Sequence, residues 1–179
     1  MIEQQDCEIF DYQLELSESA PDFRVMTTFG IKSLSDYTGK WLLLFSLPSD
    51  FSSACSAEFI ALIENYARFQ AVNCDLLGFS NRDLFSQIAW VRNVRQKSGI
   101  EIPFPIAADC DGKLGLLFGM QQRHCENVTK QEGVFIIDDY KRVRALLYDP
   151  KLDVDAIPEL INLIKHFQGT RQSCVAVGA

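Results

Sequence analysis

Between Lys40 and Pro48 the chain reads Trp41-Leu42-Leu43-Leu44-Phe45-Ser46-Leu47. Neighbouring strand residues face opposite sides, so an unbroken apolar run of this length predicts a strand buried on both faces. After the polar stretch Ser49 to Ser53, apolar residues at Phe59, Ile60, Leu62, Ile63, Tyr66 and Phe69 recur at helical spacing without Gly or Pro. That periodicity predicts a helix starting near Cys55. Residues Cys74 to Ser80 read as a second inner strand, and Asn81-Arg82-Asp83 offers caps for a helix carrying Leu84, Phe85, Ile88, Trp90, Val91 and Val94.

The segment Ala20 to Thr28 reads as an extended opening stretch. Beyond Gly99 come Ile102-Pro103-Phe104-Pro105-Ile106, a turn at Asp111-Gly112 and a short helix through Leu117. Two further strands, Gly133 to Ile137 and Val143 to Tyr148, are joined by the polar turn Asp138 to Arg142 as in an antiparallel hairpin. A last amphipathic helix carries Ile157, Leu160, Ile161, Ile164 and Phe167. The order βαβα then ββα predicts an α/β fold with a central mixed sheet and helices on both faces.

No repeat, linker or low-complexity tract divides the chain, so a single domain over residues 1–179 is expected, with a flexible tail over about 1–19 and a C-terminal arm over about 168–179. Charge changes the picture in one respect. The 17 Lys and Arg against 24 Asp and Glu give a net charge of −7, which argues against a nucleic-acid partner. No window reaches the roughly 18 consecutive apolar residues of a membrane span. The acidic start Met1 to Asp6 leads into no apolar signal core, so a cytoplasmic location is expected. The six cysteines form no Cys-x-x-Cys pair and only two histidines accompany them, so neither a metal nor a disulfide framework is indicated.

Chemistry concentrates at Pro48 to Glu58, where the predicted strand gives way to a helix around Cys55. Unpaired N–H groups and the positive end of the dipole at a helix N-terminus favour a thiolate, which is the nucleophilic form of cysteine. Ser52 is placed either to hydrogen-bond the sulfur or a bound substrate, or simply to cap the helix; Glu58, one turn on, is placed to order the surrounding network.

Pro48, Ser52 and Cys55 stand in the register Pro-x-x-x-Thr/Ser-x-x-Cys, followed by Glu58, and this resembles the peroxiredoxin signature. The likeness extends over roughly Ala20 to Gln168. Ala20-Pro21-Asp22-Phe23 is similar to the family's opening segment, Gln87-Ile88-Ala89-Trp90 to its His-Leu-Ala-Trp motif, Phe104-Pro105-Ile106 to the strand that follows, and Phe135-Ile136-Ile137-Asp138 to its late strand. The resemblance implies a thioredoxin-like fold and a thiol peroxidase that needs no metal, haem or flavin. Cys55 would attack the O–O bond of hydrogen peroxide or an alkyl hydroperoxide and become a sulfenic acid. Ser52 and backbone N–H groups would polarise the peroxide, while Pro48 shields the pocket. Cys174 is the candidate resolving thiol, just past the last predicted helix, with Cys125 as the second candidate. A thioredoxin-like or dedicated disulfide reductase would supply electrons, and a homodimer or ring of dimers is the implied assembly. An arm ending at Ala179 without the extra segment of sensitive members implies resistance to overoxidation.

Two departures stand against this pattern. The family places an Arg where this chain has Glu132, and a second before the final helix where it has Asp155. A carboxylate beside a thiol raises its pKa. Arg123 or Lys130 could supply a cation, or Glu132 could face solvent. The competing function is a weakened, redox-responsive interaction or assembly module; a disulfide oxidoreductase is a third reading, disfavoured by the lack of a second cysteine near Cys55. The remaining thiols read as ordinary residues: Cys74 in the core, Cys110 in a turn between two acids, and Cys7 on the tail. Trp41 and Trp90 read as packing residues, His124 as a loop residue and His166 as a helix-surface one.

Overall fold

The computed structural model describes residues 14–47, 57–124, 127–130, 132–148 and 155–175; for residues 57–58, 121–124, 127–130 and 171–175 this is the backbone alone. In chain order it forms β1 (Arg24–Thr27), β2 (Gly30–Ser33), a 3-10 turn (Leu34–Tyr37), β3 (Trp41–Ser46), α1 (Ala57–Glu64), α2 (Tyr66–Ala71) and β4 (Cys74–Ser80). Then follow α3 (Leu84–Ser98), β5 (Ile106–Ala108), α4 (Lys113–Leu117), β6 (Gln121–His124), β7 (Asn127–Lys130), β8 (Gly133–Ile137), β9 (Val143–Tyr148) and α5 (Ala156–Val175).

Seven strands make one mixed sheet in the order β2-β1-β5-β4-β3-β8-β9, and β6 pairs with β7 in a separate hairpin. The inner strands β3, β4 and β5 are parallel, whereas β8 runs antiparallel to β3. Alternation along β3 sends Trp41, Leu43 and Phe45 into one apolar layer and Leu42 and Leu44 into the other. The first layer is closed by Phe59 and Leu62 of α1, Phe69 of α2 and Ile157, Leu160, Ile161 and Ile164 of α5. The second is closed by Leu34 and Tyr37 of the 3-10 turn and Leu114 of α4, together with Phe118. Each fully buried Leu or Phe contributes about 1.5–3 kcal/mol by leaving water, which is why this doubly apolar strand takes the centre.

Local chemistry sets the element ends. Asp83 caps α3 by accepting from Ser86 N at 2.9 Å, and Gly99 closes it with φ of 71°. The single helix expected after Cys55 is divided at Asn65, whose Nδ2 donates to Ala61 O at 2.8 Å and competes with the helical ladder. The opening stretch is a hairpin rather than one extended segment: Gly30 takes φ of 90°, and Thr27 Oγ1 donates to Gly30 O at 2.6 Å. The N-terminal stretch is packed from Leu14 onward, earlier than the expected end of the tail. Leu14 is buried in the second layer, and Ser17 N donates to Val143 O at 2.8 Å. At the other end α5 continues to Val175, so the backbone of Cys174 belongs to the last turn of that helix and not to an arm beyond it.

Candidate active site

One edge of the sheet gathers the C-terminal ends of β3, β4 and β5 with the N-terminal end of β8. Segment 48–56 leaves this edge at Leu47 and rejoins the fold at Ala57, the first described residue of α1. Pro48, Ser52 and Cys55 therefore lie outside the described residues, and Glu58 is described in its helical backbone alone. Both anchors of the segment are well tied. Leu47 N donates to Phe79 O at 2.8 Å, and Ser46 Oγ accepts from Gly133 N at 2.8 Å. On the helical side Phe59 packs on Trp90 at 5.3 Å and on Phe104 at 5.7 Å, and Phe104 meets Phe45 of β3 at 5.7 Å. One aromatic cluster thus locks the end of β3 and the first turn of α1 together. Trp90, read from the sequence as packing, serves that purpose.

Two polar groups at this edge escaped the sequence reading of the site. Gln87 of α3 is fully buried and its Nε2 donates to Ser80 Oγ at 2.8 Å and Ala107 O at 2.9 Å, joining the ends of β4 and β5. Its signal was a polar residue among the apolar positions Leu84, Val91 and Val94. Asp109, also buried, accepts from Leu114 N and Gly115 N, each at 2.8 Å, and so caps α4.

The acidic departures border the same edge. Glu132 is exposed and immediately precedes Gly133, the residue bound to Ser46. Asp155 is exposed and immediately precedes α5. That helix then runs towards the opposite edge, where Phe167 stacks on Trp41 at 6.4 Å and Gln168 Nε2 donates to Val72 O at 2.7 Å. Cys174 follows six residues later on the same helix. Helical rise adds about 9 Å over those six residues, and the length of β3 adds a further ~16–20 Å between the start of that strand and the segment holding Cys55. The fold thus separates Cys174 from the candidate edge instead of bringing the two together.

Among the other thiols, Cys74 is fully buried, and its pKa is pushed up to about 12, chiefly by loss of water and then by the Asp75 carboxylate. It is a core residue, as its strand position implied. Cys110 is exposed in the turn between Asp109 and Asp111. Cys125 and Cys7 lie outside the described residues. Arg123 and Lys130 belong to the strands of the β6–β7 hairpin, and His124, expected in a loop, ends β6. His166 is exposed on α5.

These features define a thioredoxin-like α/β protein whose motif cysteine connects a central strand to a helix. Comparison with known proteins agrees with that class. The family model described as AhpC/TSA matches residues 16–146. "Peroxiredoxin 2" of Thermoplasma acidophilum is 43% identical over 153 residues, covering 86% of this chain and 76% of its own. A peroxiredoxin of Aquifex aeolicus is 40% identical over 165 residues, covering 92% and 74%. Among solved structures, a yeast mitochondrial 1-Cys peroxiredoxin superposes with a TM-score of 0.75 at 26% identity, covering 89% of this chain and 79% of its own. Thioredoxin peroxidase I of Plasmodium yoelii does so at 0.76 and 27%, covering 88% and 93%. The chain belongs to the AhpC/TSA family, that of the peroxiredoxins. Among the described residues, no helix is long and apolar enough to cross a membrane.

Proposed function

We propose that this protein is a thiol-dependent peroxidase that reduces hydrogen peroxide and alkyl hydroperoxides at Cys55. The observation that carries the reading is the position of the Pro48-Ser52-Cys55 motif on the one connection between the end of β3 and the start of α1. A thiol at the N-terminal end of a helix is met by unpaired N–H groups, which favour the thiolate. The thiolate attacks the terminal peroxide oxygen, the O–O bond breaks, and the departing alkoxide or hydroxide takes a proton, leaving water or alcohol and a sulfenic acid. Ser52 and the backbone N–H groups hold the peroxide, Pro48 covers it, and Glu58 orders the network around them. A second thiol then condenses with the sulfenic acid, releasing water and forming a disulfide that a thioredoxin-type reductase reduces.

The path of α5 supports a resolving thiol from outside this copy of the chain. A disulfide requires Cα atoms within about 7 Å, and Cys174 lies on the helix end directed away from the candidate edge. Cys174 of a second copy in a homodimer or ring of dimers is the resolving thiol proposed here, and Cys125 or an external thiol is the alternative. The exposed Glu132 and Asp155 favour a second reading, in which catalysis is slow and peroxide-dependent assembly is the role. Stopped-flow tryptophan fluorescence of the reduced protein against hydrogen peroxide, beside a Cys55→Ser variant, separates the two. A fast phase lost in the variant supports the peroxidase; oxidation no faster than that of an ordinary exposed thiol supports the assembly role.

A further inference from the structure

At the sheet edge opposite the Cys55 segment, where β3 and β4 begin, a cavity of about 250 Å3 opens between the β1–β2 hairpin, α2 and the chain ahead of β5. Small-molecule sites usually run from about 300 Å3 upward, so this one suits a ligand of a single ring. Phe29, Pro103 and Pro105 give it apolar walls.

Its polar lining has an unbalanced hydrogen-bond inventory. Asp75 is already satisfied, since Oδ2 accepts from Lys40 Nζ and Oδ1 from Gln70 Nε2, each at 2.9 Å. Tyr37 also lines the cavity; the residue is only 5% exposed, and its hydroxyl has no hydrogen-bond partner among the described residues. Its electrostatic neighbours are Asp75, Asp36 and Tyr66, of which Asp75 and Tyr66 also line the cavity. A buried hydroxyl without a partner is destabilising, which a fold tolerates where the group serves something else. Lys32 contributes a cation that forms no ion pair among the described residues; the nearby Asp36 accepts through Oδ2 from Ser33 N at 2.7 Å and Ser33 Oγ at 3.1 Å. Among the described residues the groups left over are Lys32 Nζ and the Tyr37 and Tyr66 hydroxyls, each of which can donate.

We infer that this cavity binds a small organic carboxylate with a flat apolar body, the carboxylate accepting from Lys32 and Tyr37 and the ring lying between Phe29 and the two prolines. The site is distinct from the peroxide chemistry, because the sheet separates it from the segment carrying Cys55, and it does not rest on the proposed peroxidase activity.

Benzoate is the probe, with benzylamine as the control of opposite charge, and binding is followed by amide NMR shifts in the reduced full chain and in a Cys55→Ser variant. The expected result is saturable benzoate binding in both proteins, with shifts confined to residues 29–37, 66–76 and 102–106 and no comparable effect of benzylamine. Lys32→Gln and Tyr37→Phe should each weaken it about tenfold, the loss of one hydrogen bond of about 1.4 kcal/mol. Tyr37→Phe should also raise the melting temperature of the free protein, since it removes an unsatisfied buried hydroxyl. The inference is overturned by no binding at millimolar benzoate, by shifts that vanish with Cys55→Ser, by equal binding of benzylamine, or by unchanged affinity in both lining variants. A Tyr37→Phe protein of lowered melting temperature would also count against it, because the hydroxyl would then have a partner within the fold.

Discussion

Ser46 Oγ accepts a hydrogen bond from Gly133 N at 2.8 Å, pinning the last residue of β3 to the first residue of β8. Cys55 lies on the connection that starts just after Ser46, and Glu132 immediately precedes Gly133. This contact fixes the separation between the end of the strand that leads to the Cys55 segment and the backbone next to Glu132. Ser46→Ala should cost about 1 kcal/mol by leaving the Gly133 N–H without its acceptor, measured by denaturant unfolding. Gly133→Ala should cost more, about 1–3 kcal/mol, because a Cβ there would lie 2.8 Å from Met120 Sδ and 2.9 Å from Phe135 Cε2. Equal stability of both variants with the parent would contradict the contact.

Glu132 is exposed, so water and salt screen its field at the thiol. Glu132→Arg should accelerate peroxide oxidation of Cys55 by less than about tenfold, under one pKa unit of thiolate stabilisation, with the gain shrinking in about 1 M salt. Stopped-flow rates at two ionic strengths check this. A gain of hundredfold or more would mean that residue 132 acts directly on the reacting atoms.

Because α5 carries Cys174 away from the candidate edge, one equivalent of peroxide should not produce a disulfide between Cys55 and Cys174 of the same chain. Non-reducing electrophoresis and peptide mapping at low protein concentration test the point. A covalent dimer lost in Cys174→Ser, or a monomer trapped as sulfenic acid, is expected. A monomeric intrachain disulfide formed at full speed would require the end of α5 to unwind.

Alkali should weaken the fold through its buried acidic groups. The buried Cys74 thiol titrates at about 12 in the folded protein against 9.0 ordinarily, so above pH 9 the unfolded chain releases a proton that the fold retains. Stability is therefore complete below about pH 9 and falls from there to pH 12, by at most about 1.4 kcal/mol per pH unit for this group. Tyr37, raised chiefly by burial and then by the Asp75 charge, adds a further decline above its ordinary value of 10.0. Urea midpoints at pH 8, 9 and 10.5 for the parent and Cys74→Ala measure the slope, which should be shallower in the variant.

The apolar runs at Trp41–Ser46, Cys74–Ser80 and Gly133–Ile137 made the sheet centre legible, since strands buried on two faces are apolar at most positions. The β1–β2 hairpin was not legible, because Met26, Phe29 and Ile31 are exposed at the edge and alternation carries no signal there. Nor was the break at Asn65, which depends on a side-chain bond back to Ala61 while the apolar spacing continues across it. Of the candidate site, the cysteine and its motif are read from the sequence alone and lie outside the described residues, whereas the role of Gln87 is visible only in the structure. A buried amide joining two strand ends is a tertiary fact.

Trapping of the sulfenic acid with dimedone, after substoichiometric hydrogen peroxide and followed by peptide mass spectrometry, tests the central claim most directly. The account predicts a label concentrated on Cys55, formed within the first seconds and absent from the exposed Cys110. A label distributed between Cys110 and Cys55 in proportion to exposure, or none at Cys55, would contradict it.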